Sequence, residues 1–242
     1  MAAVCLILFA TAAPARAQAL VADLSRHFVA ITTGFTGAEV LLFGAVEGEG
    51  DVVVVVRGPD HRVVVHRKAR ILGVWVNAAQ MTFEHVPSFY AVAASGPLAE
   101  IASETVRARH ELGVEYLRLR LPPAKASPNV ALEWRKGLVR NYQRLGLYPR
   151  EPGTVTFLGN RLFRTRITLP ANVPTGVYQV QTYLLRHGRI VSAQTTPLSV
   201  SKIGTEAVIS DFARRQAPLY GLIAITVALV AGWIAHLAFR KA

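Results

Sequence analysis

Cysteine is almost missing from this chain: Cys5 is the one in 242 residues. It sits in a short apolar run, Ala2 to Ala13, followed by Pro14-Ala15-Arg16-Ala17. That run is too short to cross a bilayer, and Ala15-x-Ala17 is the small-residue pattern that signal peptidase cuts after. Ala17-x-Ala19 offers a second cut. Residues 1–19 are therefore expected to be a signal peptide, cleaved rather than kept as an anchor. Its removal takes the thiol with it, which excludes disulfides, cysteine nucleophiles and thiolate metal sites. An oxidising compartment permits disulfides without requiring them.

Catalytic signatures are missing too. His110-Glu111 is followed by Leu112-Gly113-Val114, so the zinc-protease HExxH pattern fails. His61 and His66 are five apart, which points them to opposite faces of one strand. Gly48-x-Gly50 lacks the third glycine and the strand-to-helix setting of a nucleotide loop. No GxSxG nucleophile elbow occurs. The expectation is a chain with no catalytic residues, no metal site and no cofactor, and hence not an enzyme.

Acids are scarce in one long stretch. Between Arg118 and Lys202 there are 14 basic residues but only two acids, Glu133 and Glu151. The window holds the whole net charge of +12, and the rest of the chain is neutral. A field of one sign over a third of a chain attracts anions. Export would exclude nucleic acid, leaving anionic lipids, small oxyanions or an acidic partner. Arg135, Lys136, Arg140 and Arg144 are the candidate anion- or headgroup-binding residues. Three of them repeat at a spacing of four, where like charges on a helix repel and a bound anion offsets the repulsion.

Charge is absent altogether from residues 219–239, LYGLIAITVALVAGWIAHLAF. As a helix this run would match a hydrocarbon core ~30 Å thick. It is expected to be a transmembrane helix, entered through a connector at 204–218 and followed by a cytoplasmic tail at 240–242. Arg240-Lys241 agrees with the positive-inside rule. Ala224, Ala228, Gly232 and His236 would form a small-residue face that lets another helix pack closely.

What is plentiful is valine. Val52 to Val56 is an unbroken run between Gly50-Asp51 and Gly58-Pro59, which reads as a strand buried on both faces. Val40 to Phe43 and Val63 to Val65 read as its neighbours. A β lobe is expected over 20–95, with no helix between its strands and so no parallel sheet. A helical insertion is expected over 96–150. Its first helix runs from Pro97 to Gly113; its second is capped by Ser127 and striped by Ala131, Trp134, Leu138, Tyr142 and Leu145. Strands return over 151–203, with turns at Gly159-Asn160 and His187-Gly188, and complete or abut the first lobe. The fold class expected is mainly β: an Ig-like β-sandwich ectodomain, a helical insertion and one C-terminal transmembrane helix.

Several stretches carry a resemblance. They include Ala30-Ile31-Thr32-Thr33-Gly34-Phe35-Thr36-Gly37, Asp51-Val52-Val53-Val54-Val55-Val56-Arg57-Gly58-Pro59 and Val86-Pro87-Ser88-Phe89-Tyr90. Gly153-Thr154-Val155-Thr156-Phe157-Leu158-Gly159 and Leu169-Pro170-Ala171-Asn172-Val173-Pro174-Thr175-Gly176-Val177-Tyr178 complete them. On these residues the chain resembles the "Putative transmembrane protein" family of alphaproteobacteria over nearly all of its mature length. The resemblance implies no catalytic residues. It implies a setting, since members are often encoded beside permeases of the sulfite-exporter type. The expectation is a periplasmic domain on the bacterial inner membrane, acting as a non-catalytic accessory subunit of a multi-span anion permease. A structural or lipid-headgroup-binding module is the alternative, and a membrane-anchored enzyme the second alternative.

Overall fold

The computed structural model describes residues 19–71, 73–120, 128–203, 218, 221 and 225–233. The chain is mainly β. Before the helices come β1 (Leu20–Leu24), β2 (Phe28–Ile31), β3 (Gly37–Val46), β4 (Asp51–Arg57), β5 (Asp60–Ile71), β6 (Val74–Pro87) and β7 (Tyr90–Ala94). After them come β8 (Gly153–Thr154), β9 (Thr156–Leu158), β10 (Leu162–Pro170), β11 (Gly176–Arg186) and β12 (Arg189–Lys202).

Two sheets share one hydrophobic core. The first has the order β1-β3-β10-β9, and the second β2-β12-β11-β4-β7-β8. In β10 the period-two pattern is complete: Phe163, Thr165, Ile167 and Leu169 are buried and the residues between them are exposed. One face of that strand meets the core and the other meets water. Thr165 tolerates burial because its hydroxyl donates to the Thr154 carbonyl at 2.8 Å. Gln194 of β12 staples the two sheets, accepting from the Ala22 amide at 2.9 Å and donating to its carbonyl at 2.7 Å.

All five valines of β4 are buried, as a strand covered on both faces requires. Its neighbours differ from those read off the sequence. β4 pairs with β11 and β7; β3 lies in the other sheet, and β5 pairs only with β6 in a separate hairpin. Sequence adjacency cannot separate these cases, because each hairpin partner reads as the same valine pattern. Cross-strand neighbours share a face, so Val53, Val55 and Arg57 lie with Val92, Tyr90 and Tyr183. That face carries the helices.

The helices fall between β7 and β8: α1 (Leu98–Ile101), α2 (Glu104–His110), a 3-10 turn at Val114–Tyr116, and α3 (Pro128–Arg144). The single first helix expected from Pro97 to Gly113 is split. Ser103 caps α2, its hydroxyl accepting from the Val106 amide at 3.4 Å. A capping serine at that point competes with helix continuation. In α3, Trp134, Leu138 and Tyr142 form the buried stripe, but Leu145 is exposed and Leu147 is buried in its place. The predicted cap Ser127 lies outside the described residues.

The expected C-terminal span needs correction. Among the described residues no helix is long and apolar enough to cross a membrane. Residues 218, 221 and 225–233 are helical, and the rest of 219–239 lies outside the described residues. A hydropathy run reports apolar side chains and not the length of a helix. The signal peptide at 1–19 falls outside the described residues apart from Ala19, and the connector at 204–218 apart from Pro218; the tail at 240–242 lies wholly outside. Ala224 and His236 of the small-residue face lie outside them too, while Ala228 and Gly232 are exposed on the helical stretch.

Candidate functional site: a cationic groove beside the third helix

The groove starts from a buried anchor. Glu111 ends α2 in the left-handed conformation, φ 54°. Its side chain is held by Arg57 of β4 through a short Nη1 to Oε2 ion pair. Its other carboxylate oxygen accepts from the Arg118 amide at 3.3 Å. The Glu111 carbonyl accepts from the Tyr90 hydroxyl, which itself accepts from the Gly113 amide at 2.8 Å. Charge-assisted bonds of this kind are the strong ones. They fix the Gly113–Tyr116 turn against the sheet.

On this platform lies α3. Tyr142 and Tyr148 stack with ring centroids 4.7 Å apart, and the Tyr142 hydroxyl bonds His61 Nε2 at 2.8 Å. Tyr148 donates to the Pro87 carbonyl at 2.6 Å. Burial pushes the Tyr90 and Tyr148 hydroxyls far above the ordinary tyrosine range. They stay protonated as donors, a positioning role rather than a basic one.

Between α3, α1 and the 3-10 turn runs a groove of about 750 Å³. Five cations line it: Arg107, Arg135, Lys136, Arg140 and Arg150. Two carboxylates, Glu115 and Glu151, share the lining. Arg135 donates to the Glu115 carbonyl at 2.5 Å, which orients its guanidinium across the floor. Burial pushes the Arg135 pKa down, and the Glu111 and Glu115 carboxylates push it back up. Arg107 lies over the Tyr116 ring at 5.3 Å, and its Nε is buried with no hydrogen-bond partner. Among the described residues, Lys136, Arg140 and Arg150 form no ion pair. Leu98, Val114, Leu132 and Val139 supply apolar walls. Low-dielectric walls around charges of one sign strengthen the field on an anion inside.

Of the four basic residues singled out from sequence, Arg135, Lys136 and Arg140 line this groove, and Arg144 does not. Arg144 lies at the end of α3 and is exposed. Arg107 and Arg150 were missed. They lie 28 residues before Arg135 and 10 after Arg140, and no helical spacing connects them. The Arg57–Glu111 pair was missed as well, because 54 residues separate its members.

The described residues form a β-rich fold with helices between β7 and β8 and a cationic groove beside α3. A family model described as "Putative transmembrane protein" matches residues 19–241, and the chain belongs to that family. No curated protein matches it.

Proposed function

We propose that this chain is a non-catalytic accessory subunit that works at the periplasmic face of the bacterial inner membrane. Its cationic groove gathers an anion, or an acidic segment of a multi-span anion permease of the sulfite-exporter type. The observation that carries the reading is convergence. Three cations chosen from sequence meet two others on one groove, and only two carboxylates answer them. Membership of a transmembrane protein family supports a membrane setting, and Ala15-x-Ala17 supports export. An exposed apolar patch of Val21, Phe43, Leu158 and Leu162 on the β1-β3-β10-β9 sheet is suited to a partner surface.

A photo-crosslinker in place of Leu132, on the groove wall, tests this in native membranes. The expected adduct is a multi-span permease, lost when Lys136 and Arg140 become glutamate. Adducts to lipid alone would favour the headgroup-binding alternative. No adduct of either kind would sink both.

A further inference from the structure

The β5–β6 hairpin is an arm with its own two-stranded sheet. Its root is part of the core: Val65, Met81, Phe83 and Val86 are buried. Arg67 marks where it leaves the body, its guanidinium stacked over Trp134 of α3 at 5.7 Å. A register shift follows at once, between Arg67 and Lys68. Beyond that bulge the pairs are Lys68–Asn77, Ala69–Val76, Arg70–Trp75 and Ile71–Val74. Four such pairs extend the arm by ~14 Å.

The composition of this distal part is unlike the rest of the surface. Val74 is 63% exposed and Trp75 65%, and Val76 is exposed beside them. A soluble tip has no reason to present Val-Trp-Val to water. No acid occurs from His61 to Phe83, whereas Arg62, Arg67, Lys68 and Arg70 do. Arg62 is paired with Glu84 at 2.7 Å and Arg67 is stacked. Lys68 and Arg70 form no ion pair among the described residues. Arg70 donates to the Gly73 carbonyl at 3.2 Å, which braces the turn. By pairing, Lys68, Arg70, Trp75 and Asn77 share one face of the arm, and Ala69, Val74 and Val76 the other.

We propose that this tip is a membrane-insertion element for an anionic bilayer, separate from the groove. Val74, Trp75 and Val76 enter the interfacial layer, and Lys68 and Arg70 remain level with the lipid phosphates. Tryptophan favours that depth because its ring is apolar and its N–H still finds a partner. Cations beside it add attraction to a negative leaflet. Among the described residues the distal strands beyond Arg67 pair only with each other, so their outer edges keep backbone groups that need water, and the tip sits at the interface and does not cross. A second copy is the poorer occupant. Three side chains offer on the order of 400 Å² per copy, against ~800 Å² per partner in a standard interface.

The test uses the full chain with Cys5→Ser and Val74→Cys, labelled with an environment-sensitive fluorophore and reconstituted into vesicles. One set is phosphatidylcholine alone and the other contains phosphatidylglycerol. The expected result is blue-shifted emission, quenched by shallow spin-labelled lipids, in the anionic set. Lys68→Gln and Arg70→Gln should each lower the inserted-to-free ratio about fivefold. Trp75→Glu, at an exposed position that folding does not need, should return the label to water. Water-exposed emission on both vesicle types would overturn the proposal. Equal insertion into neutral lipid, or a shift that follows protein density rather than lipid charge, would overturn it as well.

Discussion

Replacing Glu111 with glutamine keeps the size and an acceptor oxygen but removes the charge facing Arg57. The pair is largely shielded, with side-chain exposures of 26% for Arg57 and 12% for Glu111. Removing one partner of a buried pair costs about 3–5 kcal/mol, because the other charge stays desolvated. Arg57 keeps a distant neighbour in Asp60, at 3.9 Å, and some access to water. The lower end, about 3 kcal/mol, is therefore expected. With a urea slope of about 2 kcal/mol per molar, the unfolding midpoint should fall by about 1.5 M at unchanged slope. Replacing both members with apolar residues, Arg57→Met with Glu111→Leu, should recover most of that loss. The two arms together decide the matter. A Glu111→Gln cost under about 1 kcal/mol, or a double variant no better than the single one, would refute the view that a desolvated charge pair holds the helices to the sheet.

Other outcomes follow from the same geometry. Arg140→Glu should weaken binding of a small oxyanion to the groove by tenfold or more, at about 1.4 kcal/mol per decade, and Arg144→Glu should leave it unchanged; calorimetric titration separates them. Leu138→Ala removes a fully buried side chain from the α3 stripe and should cost about 2–5 kcal/mol in chemical denaturation. At Gly44 a Cβ would run into the Val21 carbonyl and the Phe163 ring, so Gly44→Ala should cost about 1–3 kcal/mol, read as a lowered melting temperature. His110 stacks on Tyr183 at 5.4 Å, and burial, then Arg109 and Arg118, hold its pKa below the ordinary 6.5. The unfolded chain then takes up that proton first, so its contribution is whole above pH 6.5 and is lost as pH falls toward the folded value. His110→Gln should flatten that acid-side slope in stability measured between about pH 7 and pH 5.

The sequence by itself determined the chemistry of the parts. Five valines between turn residues can only be a strand shielded on both sides, and β4 is one. Helical signals between two β regions mark an insertion, and α3 starts and ends within it. An acid-poor, arginine-rich window determines that positive charge is concentrated in one part of the chain. These properties depend on near neighbours in the chain, so composition and period carry them.

Tertiary structure alone decided which parts meet. It brought Arg107 and Arg150 to Arg135, Lys136 and Arg140, and left Arg144 outside. It set Glu111 against Arg57 across 54 residues, and joined Val63–Val65 to Met81–Phe83 at the root of one arm. The physical reason is common to all three. Side-chain type fixes what a residue prefers to touch, while register, bulges and helix breaks decide whether it reaches it.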